Sequence, residues 1–318
     1  MERGDFTAIP LIDIAALRTG ERDAVDEVAA RIVEACETAG FFYVSGHGVS
    51  DSTIAGIFAA AHWFFSTPQT LRDELDVKTS PNFRGYVPMG IVGPNKPRRM
   101  LEAFQMMLDL PPDDPDVAAG SVMAGPNRWP AGAEAFRTAM EAYFAAMMEL
   151  MGLLLSAFAR GLRQPDEFFS AHFQKPLTQL RLLHYPPQPP DSDAEGVEAH
   201  TDTGAFTILL QDDVGGLEVR TRAGNWIAAQ PIPGAFVINI ADMMQRWTNG
   251  RFVSTPHRVR NRTGRDRISV PFFANPDYRA VITPLAGSGA EARYAPLACG
   301  PYVEAAYRAA WPHAERKS

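Results

Sequence analysis

The sequence predicts a mainly β protein with flanking helices: an antiparallel core of the jelly-roll kind with a helical N-terminal region. After Pro176 short β-rich stretches follow one another at 178–185, 206–211, 216–220, 225–228, 235–240, 256–260 and 267–274. Turn signals separate them: "DDVGG", "RAGN", "IPG", "TNG" and "RTGRD". Closely spaced strands with such punctuation suit a sandwich or barrel. Upstream, Ala131–Leu162 carries Phe136, Met140, Tyr143, Phe144, Met147, Met151, Leu154, Leu155 and Phe158 at three- and four-residue steps. That is the stripe of a helix packed on a core.

The elements before that helix follow the same logic. "IPLIDIAAL" reads as a short strand. Residues 21–38 place Val25, Val28, Ala29, Ile32, Val33 and Cys36 on one helical face, and Gly40 stops them. "FFYVSGHGV" is a strand entering a glycine turn, with His47 in a structural role, and Asp51–Phe65 is a second helix. Residues 76–100 are rich in Pro, Gly and Arg and predict a long loop, a feature that often carries function. "EAFQMML" reads as a strand and "PPDDPD" as a surface turn. The chain divides into an N-terminal helix and strand region (1–110), a helical segment (111–176), a β core (177–280) and a C-terminal segment (281–318).

Composition narrows the function classes. The 318 residues are 46% hydrophobic and 21% charged with a net charge of −7. An acidic balance without a basic stripe argues against a nucleic-acid partner. The apolar stretch 145–159 contains Glu149 and is too short to span a bilayer, so no membrane partner is expected. Two cysteines, Cys36 and Cys299, offer neither a disulfide framework nor zinc spacing. A reduced, cytoplasmic protein follows as the expectation, acting on a small molecule as a monomer or weak homo-oligomer.

The chemistry sits in "EAHTDTGAFTILLQ", residues 198–211. Read as one strand, it points His200 and Asp202 the same way, because side chains at i and i+2 share a face. Of seven histidines, His257 in "STPHRVRN" begins another β segment of the same core. Two histidines and a carboxylate on one side of an ion suit non-haem Fe(II) and leave positions open. Zinc also accepts these ligands. In "RISVPFF", Arg267, Ser269, Pro271 and Phe273 share one face, while Ile268, Val270 and Phe272 share the other. An inward arginine is costly unless paired, and its fork with the Ser269 hydroxyl matches a carboxylate. On 179–185, Gln179, Arg181, Leu183 and Tyr185 share a face, so Tyr185 can add a hydrogen bond there.

"HTD", the later histidine and "RIS", together with "IPLIDIAAL", "ETAGFFYVSGHGV" and "LRLLHYPPQP", resemble the isopenicillin N synthase-like family of Fe(II)- and 2-oxoglutarate-dependent dioxygenases. The resemblance runs from about residue 8 to 280. It implies a double-stranded β-helix core in which His200, Asp202 and His257 hold Fe(II). It further implies that Arg267, Ser269 and Tyr185 hold 2-oxoglutarate, with O2 as the second cosubstrate. One position departs: plant members often carry Asn two residues before that tyrosine, where this chain has Leu183.

The activity this implies is oxidation of an unactivated C–H of a metabolite, releasing succinate and CO2. Hydroxylation is the default outcome, and desaturation or cyclisation are variants. Two rivals stand beside it. One is an Fe(II) oxidase of isopenicillin N synthase type that needs no 2-oxoglutarate; the other is a non-catalytic cupin-like module that binds a metal or ligand. For the substrate, Phe273 and Arg181 face inward, and the loop "NFRGYVP" offers Phe83 and Arg84, the latter as an acid anchor. The lining suits a small carboxylated or aromatic metabolite.

Overall fold

The computed structural model describes residues 6–90, 100–188, 196–285 and 292–311. The N-terminal elements are β1 (Leu11–Asp13), α1 (Ala16–Thr19), α2 (Arg22–Thr38), β2 (Phe41–Ser45), α3 (Asp51–Ser66), α4 (Gln69–Asp73), β3 (Gly85–Val87) and β4 (Glu102–Met107). Next come α5 (Pro115–Ala118), α6 (Glu134–Gly161), β5 (Gln179–Tyr185), β6 (Val197–His200), β7 (Phe206–Gln211), β8 (Leu217–Arg220) and β9 (Trp226–Ala228). The chain continues through β10 (Phe236–Ile240), α7 (Asp242–Trp247), β11 (His257–Val259), β12 (Arg267–Ala274), β13 (Val281–Ile282), β14 (Leu297–Ala298) and α8 (Cys299–Ala310).

Two facing sheets form the jelly roll. The larger has eight strands in the order β1-β2-β10-β7-β12-β5-β4-β3, and the smaller has four, β6-β11-β8-β9. Every pairing in both is antiparallel except β1 with β2. The N-terminal strands thus extend the sheet that holds the core strands.

Alternation along the strands sorts the large sheet into two faces. Phe272 on β12 meets Phe144 of α6, and Phe206 on β7 meets Phe158. Phe272 belongs to the outward apolar set, with Ile268 and Val270, expected opposite Arg267. α6 is 28 residues long, longer than the 145–159 stretch, and is apolar and long enough to cross a membrane by length and composition. Here its stripe from Phe136 to Phe158 is buried against α2, α3 and the sheet.

Local signals place the ends. Gly40 follows α2 with φ +66, and its N–H donates to Ala35 O at 2.9 Å. A Cβ there would lie 2.0 Å from Val253 O, so both conformation and space demand glycine. Ser50 caps α3 by accepting from Thr53 N. The loop expected over 76–100 instead holds a 3-10 turn, Val77–Thr79, and strand β3; its residues 91–99 lie outside the described residues. "PPDDPD" leads into α5, which Asp114 caps.

Candidate active site

The strand expected over 198–211 is broken in the middle. β6 ends at His200 in the small sheet, β7 begins at Phe206 in the large one, and Asp202 lies in the turn that crosses between them. The two side chains converge because the chain changes sheets, not because they share a strand face. Gly204 permits the crossing, since a Cβ there would sit 2.3 Å from Asn275 Oδ1.

His257 reaches the same point through pairing: it is the direct register partner of His200 across β6 and β11. Directly opposed residues of an antiparallel pair stand close enough for their side chains to touch. Their ring centroids are 4.3 Å apart. Asp202 Oδ1 lies 3.6 Å from His200 Nε2 and 3.7 Å from His257 Nε2. One ligand atom from each of the three residues falls within 4.8 Å of the others.

Surrounding groups orient all three. His200 Nδ1 lies 2.8 Å from Glu198 O, and His257 Nδ1 lies 3.2 Å from Thr255 O. Protonated Nδ1 donates to these carbonyls, which leaves each Nε2 as the basic nitrogen turned toward Asp202. Asp202 Oδ2 accepts from Thr207 Oγ1 at 2.5 Å and Asn239 Nδ2 at 2.8 Å, so Oδ1 faces the imidazoles. Burial alone would raise this carboxyl; the charge of His257, then His200 and the Thr207 hydroxyl, hold it well below the usual carboxylate range. Burial pushes the His257 imidazole below its ordinary range, against the opposing pull of the Asp202 carboxylate.

Asp242, at the start of α7, ties both ligand-bearing segments together. Its Oδ2 accepts from Thr201 Oγ1 at 3.1 Å and its Oδ1 from Ser254 Oγ at 2.6 Å. Asp202 O and Gly204 O accept the first amides of α7, from Asp242 and Met243, at 2.9 Å each. Asn239, Asp242 and Thr207 were not singled out from the sequence. The available signal was "NIAD", where an Asn and an Asp interrupt an apolar strand end.

Beyond the triad, a cavity of about 270 Å³ opens between the sheets. Its far wall carries Arg267, Ser269 and Tyr185. Arg267 is fully buried. Its Nε donates to Gly215 O, its Nη1 to Ser269 Oγ at 3.0 Å and its Nη2 to Gln211 Oε1 at 3.2 Å. The guanidinium lies 4.7 Å over the Tyr185 ring. Gly196 makes room for that ring, because a Cβ there would come within 2.6 Å of it. Among the described residues no carboxylate pairs with Arg267, so a buried cation faces the cavity with only neutral partners. Leu183, the departure from the plant pattern, pairs in register with Ser269 and lines the same wall.

The substrate expectations divide. Arg181 and Phe273 line the cavity. Phe83 and Arg84 do not, and the loop reading is corrected there. Arg84 is 1% exposed and turns away to donate to Asn82 O, Leu108 O, Met123 O and Asn127 Oδ1. Phe83, at φ +58, backs Tyr307 and Trp311 with centroids 5.5 and 6.1 Å away. A face of the C-terminal region that the sequence reading did not use closes the cavity instead: Val303, Ala306, Tyr307 and Ala310 of α8, followed by Trp311. Their three- and four-residue spacing was the available signal. His184 is held by protein partners, with its ring nitrogens 2.8 Å from Glu102 Oε1 and Asp266 Oδ1. His47 likewise bonds locally, to Gly234 O and Val49 N.

Known proteins match this arrangement. The profile of the 2OG-Fe(II) oxygenase superfamily covers residues 176–276, and that of the non-haem dioxygenase in morphine synthesis N-terminal region covers 9–132. The 2-oxoglutarate-Fe(II) type oxidoreductase hxnY of Emericella nidulans is 33% identical over 97% of this chain and 92% of its own. The 2-oxoglutarate-dependent dioxygenase citB of Monascus ruber is 39% identical over 85% of this chain and 86% of its own. Neurospora crassa T7H in complex with alpha-KG and thymine superimposes with a TM-score of 0.85 at 26% identity, covering 95% of this chain and 97% of that one.

Proposed function

The chain belongs to the 2OG-Fe(II) oxygenase superfamily and is an Fe(II)- and 2-oxoglutarate-dependent dioxygenase, and from this premise we propose the roles of its residues and the class of its substrate. His200 Nε2, Asp202 Oδ1 and His257 Nε2 hold the iron. The donor set supports this: two imidazoles and one carboxylate, all on one side, as the facial arrangement requires. Arg267 and Ser269 hold the distal carboxylate of 2-oxoglutarate over the Tyr185 ring. The single observation that carries this is the fully buried Arg267 guanidinium facing the cavity with no acidic partner among the described residues.

When bound, Fe(II) supplies activation of O2, coupling conversion of 2-oxoglutarate to succinate and CO2 with oxidation of a substrate C–H. The protein's own residues bind, orient and exclude water. Thr207 and Asn239 fix the Asp202 carboxylate, and the Glu198 and Thr255 carbonyls fix the imidazoles. Arg267 sets the register of the cosubstrate. Leu209, Leu217, Val259 and Leu183 keep the cavity wall apolar, and α8 closes it. Arg181 and Phe273 contact the substrate, a small carboxylated or aromatic metabolite, and hydroxylation is the default outcome. The two buried, unpaired cysteines support a reducing, cytoplasmic setting.

The test is succinate release from 2-oxoglutarate by Fe(II)-loaded protein across a metabolite panel, with O2 uptake followed in parallel. Succinate formed in step with substrate oxidation supports the reading. O2 uptake and product without succinate would replace it with the oxidase rival, in which Arg267 clamps the substrate's own carboxylate.

A further inference from the structure

Arg267, fully buried in the cavity wall, is held by three groups, and all three are neutral. Its Nε donates to Gly215 O, its Nη1 to Ser269 Oγ at 3.0 Å and its Nη2 to Gln211 Oε1 at 3.2 Å. A guanidinium offers five N–H donors. These contacts therefore leave one N–H on each terminal nitrogen for a further acceptor. Of the three partners, Gln211 is the one whose side chain could have been acidic with almost no change of shape. A glutamate there would pair with the guanidinium as an ion and spend its charge.

The fold presents an amide at this point. Gln211 ends β7 and is the direct register partner of Ser269 on β12, so the two side chains stand side by side at the guanidinium. Gln211 Nε2 donates to Ala229 O at 3.4 Å. A carbonyl requires a donor and a guanidinium requires an acceptor. One orientation of the amide satisfies both, and neither a glutamate nor an apolar side chain can. Two acids follow directly in "QDD", and both are engaged elsewhere. Asp212 accepts from Val214 N at 3.0 Å and from Ile268 N, and Asp213 pairs with Arg265 at 2.9 Å. Gln211 itself does not line the cavity, so its influence there passes through Arg267.

We propose that Gln211 is a positioning residue for the cosubstrate: it fixes Arg267 Nη2 through a neutral acceptor, so that the guanidinium keeps both its direction and its full charge for the distal carboxylate of 2-oxoglutarate. The proposal deepens the active-site reading above and rests on it. Direction and charge are separable. An apolar residue at this position removes the orienting contact and leaves the charge, whereas a glutamate keeps the contact and removes the charge. A residue needed only for its hydrogen bond to Arg267 would rank these the other way, since glutamate retains the acceptor.

The test titrates full-length protein, loaded anaerobically with Mn(II), by calorimetry with two ligands. One is 2-oxoglutarate and the other is 2-oxopentanoate, the same chain without the distal carboxylate. Gln211→Met should weaken 2-oxoglutarate binding at least about five-fold and leave 2-oxopentanoate within about two-fold. Gln211→Glu should weaken 2-oxoglutarate at least about ten-fold further, because the new carboxylate competes for the cation. Unchanged 2-oxoglutarate affinity in Gln211→Met, a parallel loss of both ligands in that variant, or a Gln211→Glu protein that binds 2-oxoglutarate no more weakly than Gln211→Met overturns the proposal. Where Gln211→Glu does not fold, the ratio of the two ligands in Gln211→Met decides alone. Arg267→Ala, titrated alongside, keeps the two readings apart. Loss of 2-oxoglutarate there but not in the Gln211 variants defeats this inference alone. Normal binding by Arg267→Ala removes the clamp reading and the inference with it.

Discussion

His200 and His257 stand directly opposite each other across an antiparallel pair, their ring centroids 4.3 Å apart, although they lie 57 positions apart along the chain. Strand pairing alone therefore delivers two of the three nitrogen and oxygen donors. The third, Asp202, depends on a turn between sheets and on the groups that hold its other oxygen.

That dependence predicts the effect of removing those groups. Asn239→Ala and Thr207→Val each leave the triad intact but release Asp202 Oδ2. Loss of such supporting contacts typically costs about 10–100-fold in metal affinity or activity. Fe(II) titration of the two variants should show a loss in that range, with the double variant weaker than either. Wild-type affinity in both would mean that the carboxylate is positioned by the turn alone.

Arg267 offers a different readout. Replacing it with alanine removes the cation while the triad stays in place, so the loss should fall on 2-oxoglutarate and not on the metal. A desolvated charge contact is worth about 2–5 kcal/mol, and even the lower bound is roughly 30-fold in affinity. The KM for 2-oxoglutarate of Arg267→Ala should therefore rise at least about 30-fold with Fe(II) binding unchanged. An unaltered KM would show that the cosubstrate's distal carboxylate is held elsewhere.

Arg84 should behave as a structural residue. Its guanidinium serves three backbone carbonyls and Asn127 Oδ1, and burial lowers its pKa to about 10. Arg84→Ala strands those acceptors, and the expected loss is on the order of 3 kcal/mol of unfolding free energy. Urea unfolding would read it. A variant of normal stability with impaired substrate binding would instead restore the anchor role expected from the loop sequence.

The pair His184 and Glu102, beside Tyr185 and at the β4 edge, predicts a pH profile. Burial lowers the His184 pKa, but hydrogen bonds to Glu102 and Asp266 outweigh it and raise the value above the ordinary 6.5. Its contribution is thus complete below about pH 6.5 and fades as pH rises through the raised folded value. Glu102 is the mirror case: burial raises it, yet His184, Tyr86 and Arg72 hold it below the ordinary 4.5. Its contribution is complete above about pH 4.5 and fades as pH falls through the lowered folded value. The Tm difference between wild type and His184→Asn should be largest between those limits and shrink on the alkaline side. A difference that grows with rising pH would contradict the imidazolium assignment.

Much of this protein was legible from its residues. Period-three-and-four spacing located α6, and glycine and turn signals punctuated the strands. Alternation on β12 and β5 separated Arg267, Ser269 and Phe273 from their outward neighbours correctly. Those patterns are local, set by helix and strand periodicity, and need no knowledge of the fold. The reading of "HTD" as one strand face failed because periodicity cannot show where a chain leaves one sheet for another. Arg84 misled for a related reason: a loop cation looks alike whether it points to solvent, to a ligand or to its own backbone.

The candidates for the metal and for the anion clamp were thus legible in residue type, and on β5 and β12 also in local alternation. Where Asp202 meets the histidines and which way Arg84 turns were decided only by packing. Convergence of distant segments depends on sheet crossing and on α7 and α8 docking, which belong to the assembled interior, not to any stretch of chain.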